Sequence, residues 1–307
     1  MNIFLAGASG YVGSRVLADL LSAGHQVTAL IHSSHSLEEI TCANPNVSVV
    51  QGDVARPEDM FRAVPLGTEA IIYLPGLLRE SPRKEITFRS VHVEGVRNVL
   101  AAAMQAGATR WIQMSALGTK PNSITAYYRT KWEAEELIRT SGLDWTILRP
   151  SLIFDDRPRH EHNFADEIAK AIRMAPFVPI LGNGQFLFQP VSVDDVSRTI
   201  VQTLSKPNTI GKIYEIGGPE TLSYRELVSA IAHAMGSKKP AGQIPFWFIT
   251  SFARLLGGFS WFPITVDEIV MLRNGNYVRD PIEDNAWRAA FDLPMKRFSD
   301  SVKKAVH

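Results

Sequence analysis

The chain leaves its first apolar run through a glycine turn. Ile3-Phe4-Leu5-Ala6 passes into Gly7-Ala8-Ser9-Gly10-Tyr11-Val12-Gly13, and Val12, Val16, Leu17, Leu20 and Leu21 then repeat with helical spacing up to Gly24. A strand, a glycine turn and an amphipathic helix in immediate succession constrain the fold more than any other stretch, because the helix must pack back onto the strand it has just left. Gly24 ends the helix as a glycine cap would. Any sharp turn between a strand and a helix can use glycine for its positive φ angles, so the glycines alone do not require a ligand. Their context does more, since it gathers backbone N–H groups and the positive helix start where a pyrophosphate can approach closely. The spacing is G-x-x-G-x-x-G rather than G-x-G-x-x-G.

Strand-like and helical runs then alternate. Gln26 to Ile31, Val47 to Gln51 and Ala70 to Leu74 are continuous apolar strands, separated by helical segments near Ser36 to Ile40, where Ser36 and Glu39 fit a capping box, and near Pro57 to Ala63. Helix Val91 to Ala106 leads through Gly107 to strand Arg110 to Met114, and helix Tyr127 to Thr140 leads to strand Asp144 to Leu148. This alternation predicts a parallel, doubly wound α/β sheet. After Arg149-Pro150 the pattern breaks: Phe186 to Val193 and helix Asp194 to Leu204 read as a return to the sheet, while Pro176, Pro179 and Pro207 punctuate irregular structure. Ser223-Tyr224-Arg225-Glu226 opens a further helix with a capping box. The expected division is residues 1–150 with about 186–204 as a dinucleotide-binding domain, and about 151–185 with 205–307 as a smaller, partly interleaved C-terminal lobe.

With 307 residues, 45% of them hydrophobic, the chain can bury a sizeable core. Lys+Arg 32 against Asp+Glu 31 leaves a net charge of +1, and no basic block stands ready to track a nucleic-acid backbone, so nucleic acid is not an expected partner. One cysteine, Cys42, excludes an internal disulfide, and no visible base makes it a nucleophile. The first residues enter a strand without a cleavable basic leader, which suggests a cytoplasmic protein.

Tyr127 and Lys131 are four residues apart on a predicted helix, so they share a face. A nearby ammonium favours an ionised phenol and draws its pKa down, which makes the pair an acid-base candidate. Ser115, at the end of strand Trp111 to Met114, can hydrogen-bond a substrate oxygen. Tyr128 stands only three residues from Lys131 and on another part of the helix face.

The glycine triplet, Gly52-Asp53-Val54, His92-Val93-Glu94-Gly95-Val96-Arg97-Asn98-Val99, Ser115, the Tyr127/Lys131 pair and Arg149-Pro150-Ser151 together resemble the extended or atypical short-chain dehydrogenase/reductases, including the NAD-dependent epimerases and dehydratases. Ser115-Ala116-Leu117-Gly118, Tyr128-Arg129-Thr130-Lys131, Gln189-Pro190-Val191 with Asp194-Asp195-Val196, and Thr265-Val266-Asp267-Glu268 are similar to the branch related to the 39 kDa subunit of respiratory complex I. The resemblance implies a Rossmann-type sheet. It also implies that Gly7, Gly10 and Gly13 with Tyr11 and Val12 hold the pyrophosphate, that Asp53 and Val54 cap the adenine, and that Leu74, Pro75 and Gly76 border the ribose. Lys131 would hold the nicotinamide ribose, Tyr127 would carry the proton, Ser115 would orient the substrate carbonyl, and Pro150 and Ile153 would flank the nicotinamide.

Two departures bear on these roles. Members that prefer NAD usually carry an acid at the end of the second strand, whereas this strand ends Ile31-His32-Ser33-Ser34. With no carboxylate to repel a 2′-phosphate, and with His32 and the serines able to donate to it, NADP(H) is favoured over NAD(H). The other departure is Phe154-Asp155-Asp156, where the branch usually has glycine after the phenylalanine.

Other features read more plainly. His160-Glu161-His162 has no further ligands at metal spacing, so no metal site is expected, and Asp194-Asp195 complements a helix dipole. Residues 246–262 form the most aromatic stretch, bounded by Pro245 and Pro263 and interrupted by Arg254 and Gly257-Gly258, and so do not make a transmembrane helix. That stretch reads either as core or lid of the small lobe, or as a surface helix that meets a membrane periphery or a respiratory complex. Helices Val91 to Ala106 and Tyr127 to Thr140 could pair two copies in a homodimer, although packing on the sheet explains their apolar faces equally well. The expected activity is hydride transfer to or from a small apolar carbonyl or alcohol; the alternative is a non-catalytic nucleotide-binding subunit or assembly factor. A nucleotide-sugar epimerase or dehydratase is disfavoured, because dehydratases of the superfamily use an acidic pair after the serine strand and Ala116-Leu117-Gly118 offers none.

Overall fold

The computed structural model describes residues 1–32, 44–81, 85–157, 164–256 and 264–305. The expected helix at Ser36 to Ile40, Ser33, Ser34, Cys42, the His160-Glu161-His162 run and residues 257–262 of the aromatic stretch lie outside them.

In chain order, β1 (Asn2–Ala6), α1 (Tyr11–Ser22), β2 (Gln26–Ile31), β3 (Val47–Gln51), α2 (Pro57–Ala63) and β4 (Ala70–Tyr73) form the first half of a doubly wound sheet. A π-helical segment, Arg89–Glu94, runs directly into α3 (Gly95–Ala106), followed by β5 (Arg110–Met114), α4 (Ala126–Arg139) and β6 (Asp144–Pro150). Next come β7 (Ile153–Phe154), α5 (Phe164–Met174), β8 (Val178–Leu181), β9 (Leu187–Phe188), β10 (Val191–Ser192) and α6 (Val193–Leu204). The remaining elements are β11 (Lys212–Ile216), β12 (Leu222–Ser223), α7 (Tyr224–Ala234), β13 (Ala241–Ile244), α8 (Phe246–Leu256), α9 (Val266–Arg273), α10 (Pro281–Ala290) and α11 (Phe298–Ala305).

The central sheet has seven strands in the order β11-β6-β5-β4-β1-β2-β3. Strand β1 lies parallel between β2 and β4, with Ile3 opposite Val27 on one side and Ala70 on the other. All of β4 is buried and only the first residue of β1 is exposed, as continuous apolar runs require when helices cover both faces. On one face, Phe4, Ile71, Tyr73, Val96, Val99, Trp111 and Ile138 belong to one apolar core. The expected α/β class and parallel sheet are therefore observed.

The chain divides into two compact units: Met1–Arg149 with Val196–Tyr214 and Ala286–Asp292, and Pro150–Asp195 with Glu215–Asn285 and Leu293–His307. In the first unit the buried guanidinium of Arg110 ties separate segments together, donating to Asp144 O at 2.5 Å, Thr146 Oγ1 at 2.6 Å, Thr203 O at 3.1 Å and Thr209 Oγ1 at 3.0 Å. The late segment of that unit contributes Trp287, whose side chain is 1% exposed and whose indole N–H donates to Thr199 Oγ1 at 3.2 Å. In the second unit Phe154, Ile172, Ile180, Phe188, Leu227, Ile231 and Phe298 form the core. The capping box read at Ser223 and Glu226 is present in both directions.

One strand expectation fails. Phe186 to Val193 does not return to the central sheet: β9 pairs antiparallel with β12 and β10 pairs with β7, and the seventh sheet strand is β11. Pro190 has no N–H for a ladder, and Gln189 between the two short strands bonds elsewhere, its N–H to Asn276 O and its side chain to Gly218 O and Val278 N–H.

Candidate functional site

The first unit places the glycine turn between the ends of β1 and β4. Gly7 has φ +82°, a left-handed conformation that side chains resist, and a Cβ there would also stand 3.3 Å from Pro75. At Gly13 a Cβ would fall 1.9 Å from Gly7 O, so glycine is what allows α1 to begin directly against the turn. Gly10 is the N-cap and supplies no side-chain cap, and the first turn of α1 holds no acid. The first intrahelical bond is from Ser14 N–H to Gly10 O at 3.0 Å, while Gly10 N–H donates to Gly7 O at 3.1 Å, so the amides of Val12 and Gly13 stand at the open helix start. Such a start, uncapped by side chains and without negative charge, fits a bound pyrophosphate.

Around this cradle, Leu74 N–H donates to Ala6 O at 3.2 Å, which carries Pro75 and Gly76 to the edge of the turn. Val54 packs its side chain into the core, with its carbonyl accepting from Asn98 at 2.9 Å, and Asp53 Oδ1 accepts the Ala55 N–H at 2.9 Å. His32 is exposed at the end of β2, where its carbonyl accepts from Gln51. Val12 is buried and Tyr11 half-buried at the start of α1. Pro150 and Ile153 belong to the second unit, Pro150 closing β6 and Ile153 pairing with Val191 in β7.

Tyr127, Lys131 and Glu135 follow one another at four-residue intervals on α4. Tyr127 is half-buried, its ring meeting the edges of Phe88 at 5.7 Å, His92 at 5.5 Å and Tyr128 at 5.2 Å. Lys131 is 2% exposed, donates to Met114 O at 3.3 Å, and lies 3.3 Å from where a Cβ on Gly76 would stand. Burial pushes its pKa down to about 8, against the opposing pull of Glu135. Contrary to the expectation that the ammonium lowers the Tyr127 pKa, burial pushes the phenol above its ordinary range, with Tyr128 adding to the rise.

Ser115 is buried at the end of β5, with its N–H on Leu148 O at 2.7 Å. Its hydroxyl donates to Glu135 Oε1 at 2.5 Å, and Arg149 clamps the same carboxylate through Nε at 2.9 Å and Nη2 at 2.6 Å. Glu135 went unnoticed in the sequence because it sits in an ordinary charged helix; the signal was its place four residues after Lys131. His92, also missed, accepts the Leu77 N–H on Nε2 at 3.2 Å, which puts its ring proton on Nδ1, 2.9 Å from Thr130 Oγ1. Burial and the neighbouring Lys131 hold its pKa down to about 2, so His92 is a neutral strut between the Leu74–Leu77 loop and α4.

Residues 7–207 match the NAD(P)H-binding family. Curated relatives include the mitochondrial NADH-ubiquinone oxidoreductase 40 kDa subunit of Neurospora crassa, 25% identical over 86% of this chain and 68% of its own length. The mitochondrial NADH dehydrogenase [ubiquinone] 1 alpha subcomplex subunit 9 of Arabidopsis thaliana is 29% identical over 72% of this chain, and the match spans only 54% of that relative. The NAD(P)H azoreductase of Xenophilus azovorans is 24% identical over 76% of this chain and 74% of its own. In fold, the UDP-glucose 4-epimerase of Thermotoga maritima superposes with a TM-score of 0.76 at 19% identity, over 99% of this chain and 97% of that one. The glycine cradle, the parallel sheet and these matches place the chain in the NAD(P)H-binding family, within the epimerase/dehydratase-like short-chain dehydrogenase/reductase superfamily, with homologues among the 39 kDa-type subunits of complex I.

Proposed function

We propose that the chain is an NAD(P)-dependent oxidoreductase acting on a small, apolar carbonyl or alcohol, with Tyr127 as its acid and base. The observation that carries this reading is the Tyr127-Lys131-Glu135 ladder, with the Lys131 ammonium buried beside Gly76 in the same unit as the glycine cradle. The nicotinamide, when bound, supplies or accepts the hydride. Gly7, Gly10 and Gly13 with Tyr11 and Val12 would hold the pyrophosphate, Asp53 and Val54 the adenine side, Leu74, Pro75, Gly76 and Lys131 the riboses, and Pro150 and Ile153 the nicotinamide face.

In reduction Tyr127 Oη gives its proton to the substrate oxygen, and in oxidation it takes one. Burial keeps that phenol protonated at neutral pH, which suits the reductive direction. With its pKa near 8, Lys131 is mostly cationic at pH 7 and stabilises the phenolate left after transfer. The proton of Ser115 is held by Glu135, which orients the hydroxyl lone pairs instead of leaving a free donor. The exposed His32 and the absence of an acid at the end of β2 support NADP(H) over NAD(H).

A second reading, a non-catalytic nucleotide-binding subunit or assembly factor at a membrane periphery, is favoured by that same Ser115-Glu135 bond and by the names of the complex I relatives. Titration calorimetry with NADPH and NADH, followed by turnover assays on apolar carbonyls, tests both. The oxidoreductase reading expects NADPH to bind more tightly. It also expects Tyr127→Phe to lose about a hundredfold or more in turnover with cofactor affinity kept. Turnover at the parent rate in that variant removes Tyr127 from its role, and binding without turnover of any carbonyl favours the second reading.

A further inference from the structure

The Ser115 hydroxyl is engaged on two sides. Its one proton goes to Glu135 Oε1 at 2.5 Å, and the carboxylate that receives it is also gripped by Arg149. Thr119 Oγ1 lies 3.3 Å from the serine oxygen, and with the serine proton spent that bond is donated by the threonine. Ser115 is buried as well. A serine held in this way accepts and does not donate, so it gives a substrate carbonyl nothing to lean on. Tyr127 is then the only group so far assigned to the substrate oxygen. Reduction gathers negative charge on that oxygen, and a second fixed donor aimed at it is what such a site gains most from.

A second phenol stands beside the first. Successive residues of a helix point about 100° apart, yet the Tyr128 ring meets that of Tyr127 edge to face, with centroids 5.2 Å apart and planes at 73°. The hydroxyl end of Tyr128 rests on the loop that leaves Ser115: a Cβ on Gly118 would stand 3.3 Å from both its Cζ and its Oη. Gly118 has φ +97°, a conformation that side chains resist, so the loop offers bare backbone beneath the phenol. That loop is firm, because Leu117 and Thr119 are buried and Thr119 N–H closes a turn on Ala116 O at 3.1 Å. On the helix side Thr125 caps α4 and accepts the Tyr128 N–H. Arg129 braces the same cap, donating to Ser123 O at 3.1 Å and Ile124 O at 2.7 Å. Gly118 is exposed and Tyr128 half-buried, so a ligand reaches this corner more readily than it reaches Ser115. All of these residues belong to the first unit.

We propose that Tyr128 is a second catalytic phenol, whose Oη–H donates a hydrogen bond to the same substrate oxygen that takes its proton from Tyr127. The Tyr127 O–H bond breaks as the new O–H bond forms, while Tyr128 keeps its own proton and stabilises the charge that develops between hydride and proton transfer. Tyr128 thus takes over the orienting role that the resemblance gives to Ser115. The inference rests on the oxidoreductase reading, with Tyr127 as acid and base.

The test is steady-state reduction of benzaldehyde, hexanal and cyclohexanone by the full chain with the more tightly bound of NADPH and NADH. Cofactor affinity by calorimetry and melting temperature are recorded for each variant. Tyr128→Phe keeps the ring over Gly118 and removes only the hydroxyl. It should lower kcat about a hundredfold while KM, cofactor affinity and melting temperature stay close to the parent's. Ser115→Ala should cost less than about tenfold in kcat. Parent-like turnover in Tyr128→Phe, with Tyr127→Phe inactive, overturns the inference and leaves Tyr127 in its role. A larger loss in Ser115→Ala than in Tyr128→Phe also overturns it, because the serine would then be the donor. So does a Tyr128→Phe loss that comes with weakened cofactor binding or a lowered melting temperature, which would make the hydroxyl a support of the fold. A parent that binds cofactor and reduces none of the three carbonyls removes the oxidoreductase reading and this inference with it.

Discussion

Ser115 Oγ and Glu135 Oε1 stand 2.5 Å apart, the serine donating, and Arg149 grips the same carboxylate with two N–H groups. Glu135 is wholly buried and the Arg149 side chain is 12% exposed, so the pair is shielded from the screening that weakens surface ion pairs. Removing only the acid leaves a nearly buried guanidinium without its counter-charge. Glu135→Ala should therefore lower stability by about 3 kcal/mol in urea unfolding. Glu135→Gln should lower it less, and pairing Glu135→Met with Arg149→Met should recover most of the loss. A double variant as unstable as the single one would show that packing, and not the charge pair, dominates at this position.

His92 predicts an acid-sensitive fold. Its pKa is held down to about 2 from the usual 6.5, so below pH 6.5 the unfolded chain binds a proton that the folded chain refuses. The stability this represents is fully present above pH 6.5 and is lost as pH falls toward the folded value, amounting to about 2 kcal/mol by about pH 5. His92→Gln keeps an acceptor for Leu77 N–H and does not titrate. Parent and variant stability curves should diverge below pH 6.5, and parallel curves down to pH 5 would contradict the burial of a neutral His92.

The glycines of the cradle should not respond equally. A methyl group at Gly13 would overlap Gly7 O at 1.9 Å, with backbone that cannot move aside cheaply, while at Gly10 the nearest atom is the same oxygen at 3.3 Å, a tight contact that a far smaller shift relieves. Gly13→Ala is expected to cost about 2 kcal/mol or more in stability and to abolish NADPH binding measured by calorimetry. Gly10→Ala should cost less, about 1 kcal/mol, and weaken binding more mildly. Equal effects would mean that α1 can shift away from the turn.

Much of the first unit was legible because its strands are continuous apolar runs, several of them followed by a helix with a clear period. Gln26–Ile31, Val47–Gln51, Pro57–Ala63 and Arg110–Met114 occur with the boundaries expected of them. Local signals failed where long-range bonds decide. The run from Phe186 to Val193 has strand composition, yet Gln189 sends its side chain to Gly218 and Val278 and the ladder breaks into pairs. Likewise Tyr127 and Lys131 could be placed on one helix face from spacing alone. That burial would raise the phenol, and that Glu135 would claim the Ser115 proton, depended on Arg149 and Phe88, which arrive from elsewhere in the chain.

The first unit is not finished when its sheet is. Strand β11 ends at Ile216, but the unit also includes Ala286–Asp292, whose Trp287 fills a buried site against Thr199. During synthesis the nucleotide-binding half therefore waits, with an unfilled tryptophan-sized gap, while some seventy residues of the other unit leave the ribosome. A chain stopped before residue 286 would lack that plug permanently, which makes the C-terminal region a checkpoint on whether the N-terminal half is complete.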